Sequence, residues 1–143
     1  MSSAQLRLEQ FNQTFTFTTG SVTTGSFCGG GGTASVGTVF PRPTTLTGIQ
    51  IHFGPTAANV NGVVIGTFTL YKNANSGSTN RCFVVASGAI TSGTGQAISS
   101  TTVVDAGMNV FNGTTDYYTI AVTQDSTSFT PGTMVVTLTG THT

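Results

Sequence analysis

The chain has 143 residues, four basic and four acidic side chains and no net charge, so it has the size of one domain and no field to attract phosphate backbones or anionic lipid. Only 6% of its residues are charged, against roughly 25% in an ordinary soluble protein. Its 37% apolar content and ten Phe supply enough hydrophobic surface for a folded core, which sets it apart from disordered chains. Nucleic acid and membrane are therefore not expected partners, and no run approaches the ~20 consecutive apolar residues of a spanning helix.

The N-terminal Met1-Ser2-Ser3-Ala4-Gln5-Leu6-Arg7-Leu8-Glu9 lacks the apolar stretch of a secretory signal, which predicts synthesis in a cytoplasm. Apolar and polar residues then alternate. Leu6 and Leu8 begin the pattern, and Phe11, Phe15 and Phe17 continue it opposite Thr14, Thr16 and Thr18. Further strands are predicted over 35–40, 46–53, 63–72, 81–87, 96–104, 117–124 and 133–141. Most read as strands buried on one face; 63–71 is apolar on both sides and belongs in the centre of a sheet or at an interface. Gly48 interrupts the alternation between Leu46 and Ile49, which predicts a bulge. About thirty Thr and many Val favour strands, because branching at Cβ restricts a side chain inside a helical turn.

Turn signals separate these runs: Pro41-Arg42-Pro43, Asn61-Gly62, residues 73–80, residues 92–95, Ala106-Gly107, Asn112-Gly113 and Pro131-Gly132. Such spacing belongs to an all-β antiparallel sandwich or barrel and not to βαβ units. The four glycines 29–32 divide residues 1–32, a strand or arm with a glycine-rich hinge, from a body over 33–143. Two readings of the first segment stand side by side. It is an arm that adds to a neighbour's sheet, with Leu6, Leu8, Phe11, Phe15 and Phe17 as the contacting residues, or it is the first strand of the sandwich itself.

Catalytic chemistry has no marked constellation. Glu9, Asp105, Asp116 and Asp125 are scattered, with Asp105 and Asp125 in turn-like surroundings, and no pair is set up for acid and base work. His52 falls on the strand face opposite Ile49 and Ile51, and His142 is near the end of the chain; no ligand cluster accompanies either. There is no Gly-x-Ser-x-Gly elbow, and the glycine run lacks the Gly-Lys-Ser/Thr ending of a phosphate loop. The chain is not expected to be an enzyme, and neither a cofactor nor a metal is expected. Cys28 and Cys82 allow at most one disulfide, and free, buried thiols are the expected state. The recurrent Thr-x-Thr spacing lacks the fixed repeat of an ice-binding face. A carbohydrate-binding sandwich would need aromatic platforms, and the chain has no Trp and only Tyr71, Tyr117 and Tyr118, of which alternation sends one of the last two inward.

Three stretches carry a resemblance: Gly66-Thr67-Phe68-Thr69-Leu70-Tyr71-Lys72-Asn73, Val103-Val104-Asp105-Ala106-Gly107 and Tyr117-Tyr118-Thr119-Ile120-Ala121-Val122. From about Leu46 onward the chain resembles the small jelly roll shared by C1q and tumour-necrosis-factor domains and by phage decoration (cement) and fibre proteins. The resemblance implies a homotrimer packed about a threefold axis. In the phage case it implies a structural virion protein on the capsid surface, clamping the major capsid or another virion protein. A fibre-tip or carbohydrate-binding module is the alternative it leaves open. It carries over no functional residues.

Overall fold

The computed structural model describes residues 9–19, 26–28, 38–53, 66–74, 77–86, 96–124 and 132–142. Among the described residues ten strands run in chain order: β1 (Glu9–Thr19), β2 (Ser26–Cys28), β3 (Thr38–Val39), β4 (Thr44–Phe53), β5 (Gly66–Lys72), β6 (Arg81–Ala86), β7 (Gln96–Ser100), β8 (Val110–Phe111), β9 (Tyr117–Gln124) and β10 (Gly132–His142). One sheet has the order β1-β10-β4-β7, with β8 also on β4; the other has the order β2-β9-β5-β6, with β3 also on β9. Every pairing is antiparallel.

β2 and β3 occupy successive stretches of one side of β9, and β7 and β8 successive stretches of one side of β4. Each pair therefore fills a single strand position. Eight positions remain, ordered first-eighth-third-sixth in one sheet and second-seventh-fourth-fifth in the other. That order is the double Greek key of a jelly roll. The fold is an all-β, antiparallel sandwich of jelly-roll type.

The alternation in the sequence explains the core. Leu46, Ile49 and Ile51 from β4 and Val136 and Leu138 from β10 are buried between the sheets. They meet Phe68 and Leu70 of β5, Phe83 and Val85 of β6, and Tyr118 and Ile120 of β9. The end of the core is closed by rings: Phe40 lies 5.1 Å from Phe111, edge to face, and 5.0 Å from Tyr118.

β5 sits between β9 and β6, as its two-sided apolar character predicts. Its outward residues Thr69 and Tyr71 are also buried. Part of the cover comes from the β5–β6 connection, which folds back so that Tyr71 Oη donates to the Gly77 carbonyl at 3.2 Å and Thr119 Oγ1 to the Ala74 carbonyl at 2.7 Å.

The bulge predicted at Gly48 is present. Thr139 pairs with Gly48 and Gly140 with Leu46, so Thr47 is the extra residue. A Cβ at position 48 would come within 2.8 Å of Thr139 Oγ1, which explains a glycine inside this strand. The strand predicted over 96–104 stops at Ser100. Beyond it Val104 and Asp105 cross to the other sheet and donate their N–H groups to the carbonyls of Cys82 and Arg81, closing that side of the sandwich.

Candidate intersubunit surface

The described charged side chains, Arg42, Lys72, Arg81, Asp105 and Asp116, gather at the end where β3 meets β4, β5 meets β6 and β8 leads into β9. Asp105 grips Arg81 three times: Oδ2 accepts from the Arg81 backbone N–H at 2.8 Å and from Nε at 3.0 Å, and Oδ1 from Nη2 at 3.2 Å. These bonds, the side-chain one first, hold the Asp105 carboxyl below its ordinary pKa. Asp116 accepts from Asn73 Nδ2 at 2.8 Å and from the Asn112 N–H at 2.9 Å, with Lys72 Nζ 3.5 Å away. The Asn73 bond leads in lowering the Asp116 pKa.

The β8–β9 connection is organised by one side chain. Asn112 Oδ1 accepts the N–H groups of Thr114, Thr115 and Asp116, each at 2.9 Å, while its Nδ2 donates to Thr115 Oγ1 at 2.7 Å. Gly113 then presses on the backbone of Arg42 and Pro43 with φ of +79°. Both described carboxylates are taken up in bonds that pin loops to strands. Among the described residues no three His, Cys, Asp or Glu side chains gather where a metal could sit.

The outer face of the β1 sheet has a different character. β4 exposes Thr47, Gln50 and His52, and β7 exposes Ala97 and Ser99. Cross-strand rows run Thr137-Gln50-Ser99 and Val135-His52-Ala97, with Thr137 and Val135 half-buried. His52 thus lies opposite Ile49 and Ile51, as the alternation requires. None of these residues except His52 can carry a charge.

No protein-family model and no curated protein matches the chain. Similar solved structures come from infectious bursal disease virus. A chain of its T13 viral particle aligns at TM-score 0.39 with 14% identity, over 99% of this chain and 36% of that one. Chains of the Gx and Gt strains each align at 0.37, with 11% and 13% identity, covering 99% and 95% of this chain and 39% and 38% of theirs. The chain spans little more than a third of the length of those it matches. At these values the fold assignment rests on the strand order, not on the likeness.

Of the residues read as arm contacts, Phe11, Phe15 and Phe17 have their backbone in β1, with Gly140, Val136 and Met134 as Cα partners; Leu6 and Leu8 lie outside the described residues. β1 pairs with β10 of its own chain at all eleven positions, so over Glu9–Thr19 this segment is an edge strand of the sandwich. Cys28 ends β2, opposite Ile120. Cys82 is a free, buried thiol, and burial pushes its pKa up to about 12. Tyr118 lies in the core and Tyr71 is buried, while Tyr117 is half-buried. Sequence reasoning did not single out the Gln50 and His52 rows as a surface, although the signal was there: they are the alternation partners of Ile49 and Ile51. It also missed the exposed Val39, Val104 and Val110.

Proposed function

We propose that the chain is a structural virion protein, a decoration or cement protein that stabilises a phage head through contacts between subunits. The observation that carries this reading is the sandwich's outer sheet face, whose exposed residues Thr47, Gln50, His52, Ala97 and Ser99 include no Lys, Arg, Asp or Glu, around a jelly-roll core. A face without Lys, Arg, Asp or Glu meets a neighbour without the desolvation cost of stripping water from those charges, and apolar burial with edge pairing supplies the attraction. The structural use of Asp105 and Asp116 supports a non-enzymatic role. Its partners are copies of itself, as a homotrimer, and the major capsid or another virion protein, at the capsid surface.

Light scattering over a dilution series tests the self-association, and immunogold labelling of intact particles tests the location. A mass of three chains or a multiple of three, and gold on the outer surface, are expected. A monomer that persists at high concentration, or particles that stay unlabelled, would overturn the reading. For the fibre-tip or sugar-binding alternative, the described aromatics offer Tyr117 as a partly exposed ring, and saturable binding on a glycan array is its test.

A further inference from the structure

Three of the four sheet edges are built in ways that discourage pairing with another chain. On the second sheet, β2 and β3 have three and two residues, and Pro41 and Pro43 follow closely. The opposite edge, β6, carries Arg81 and a register shift between Leu70 and Tyr71 on its partner. On the first sheet β7 and β8 have five and two residues, separated by the excursion to β6. Short strands, bulges, charges and prolines are the devices by which folded proteins blunt their edges.

β1 has none of them beyond Glu9 at its first position. It runs for eleven residues in unbroken register with β10, and among the described residues it pairs on that side only. From Gln10 to Thr19 it contains no charge, no proline and no glycine. A long edge in unbroken register, uncharged from Gln10 onward, is a template for a further strand.

We infer that β1 is a docking edge for β1 of a second copy, running antiparallel about a twofold axis and joining two sandwiches into one continuous sheet. The strand's own composition argues for this occupant. With the axis at Thr14, Phe11 of one copy stands opposite Phe17 of the other. Glu9, the one charged residue, stands opposite Thr19 at the far end, so like charges never meet. Antiparallel pairing of this length supplies about one backbone hydrogen bond per residue. The inference deepens the self-association part of the proposed function and rests on it. The twofold contact uses an edge and the threefold one a face, so the first links subunits of neighbouring oligomers.

The test places charge on the axis. Thr14 is in register with the half-buried Thr137 and not with the buried Val136 or Leu138, and urea unfolding of Thr14→Lys and Thr14→Glu beside wild type checks that each keeps its fold. Sedimentation equilibrium at low salt compares wild type, each variant, their equimolar mixture and, as a control for added charge, Ser78→Lys at an exposed position of the β5–β6 connection. Each Thr14 variant is expected to have no more than half the wild-type mass, the mixture to recover it, and the control to keep it. Asn12→Lys mixed with Thr16→Glu tests the register off the axis, because those positions face each other across it, and the mixture is expected to associate more tightly than either variant alone. If Thr14→Lys keeps the wild-type mass, if mixing the two Thr14 variants restores nothing, or if Asn12→Lys and Thr16→Glu associate no more tightly together than apart, the twofold edge contact is wrong while self-association stands. A wild type that is monomeric at every concentration removes both.

Discussion

Two glycines with nearly the same backbone angle separate conformational strain from steric conflict. Gly107 has φ of +80° and nothing within 4 Å of where a Cβ would sit; Gly113 has φ of +79°, with a Cβ position 2.2 Å from the Arg42 carbonyl carbon, 2.4 Å from Pro43 N and 2.6 Å from the Arg42 oxygen. Alanine at either position takes on a left-handed conformation at about 1–2 kcal/mol. At Gly113 the neighbours are backbone atoms that cannot rotate aside, so the β3–β4 connection must move, adding about 1–3 kcal/mol by analogy with overpacked cores. Gly107→Ala should therefore cost about 1–2 kcal/mol and Gly113→Ala about 2–5 kcal/mol. For a domain of this size that is a fall in Tm of about 3–6 °C against about 6–15 °C. Urea unfolding at fixed protein concentration measures both, with the slope m unchanged if each acts on the folded state alone. Equal losses within about 0.5 kcal/mol would refute the steric half of the reasoning, since that half predicts the difference.

Other expectations follow from the same contacts. Phe111→Ala, which removes a fully buried ring from its edge contact with Phe40, should cost about 3–5 kcal/mol in urea unfolding. In a Cys28→Ser background, the buried Cys82 thiol, with its pKa of about 12, should resist a thiol reagent at neutral pH and react fully once denaturant is added. Asp105 and Asp116 have depressed folded-state pKa values, so their stabilisation is complete above the unfolded carboxylate value near ~4 and is lost as pH falls through the lower folded values. Thermal melts from pH 6 to pH 2 should show this loss, and Asp105→Asn with Asp116→Asn should flatten it.

Period-two alternation made the long strands legible. The predicted 117–124 is β9, and 133–141 and 46–53 fall inside β10 and β4, because each buries one face and that face alone must be apolar. Gly48 announced its bulge by breaking the alternation. What the pattern could not show are β2 and β8, whose three and two residues are strands only because β9 and β4 stand beside them. Val103 and Val104 extended the apolar run past Ser100, yet the chain turns there to reach Arg81 and Cys82, a choice made by tertiary hydrogen bonds. The ion pairs were illegible for the same reason. Lys72 and Asp116 sit far apart in sequence, as do Arg81 and Asp105, and only the strand order brings them together.

The same strand order shows how so few charges suffice. Lys72 closes β5 and Asp116 precedes β9; Arg81 opens β6 and Asp105 belongs to the crossing segment after β7. Each pair ties a loop to a strand distant in sequence, and a wrong register would leave a half-buried charge without its partner, which costs more than the pair gains. The described charges therefore act where connections must be specified. The outer rows of β4 and β7 keep their polarity in hydroxyl and amide groups, which stay hydrated in a free subunit and, under the proposed self-association, would bond to a neighbour. With a net charge of zero, electrostatic repulsion does little to keep free subunits apart. Gln50→Lys with Ser99→Lys should accordingly raise the concentration at which the protein stays dispersed while leaving its unfolding midpoint within about 0.5 kcal/mol of wild type, since both positions are exposed. Solubility measured beside urea unfolding checks this, and a large loss of stability would show that these rows serve the fold and not the contact between copies.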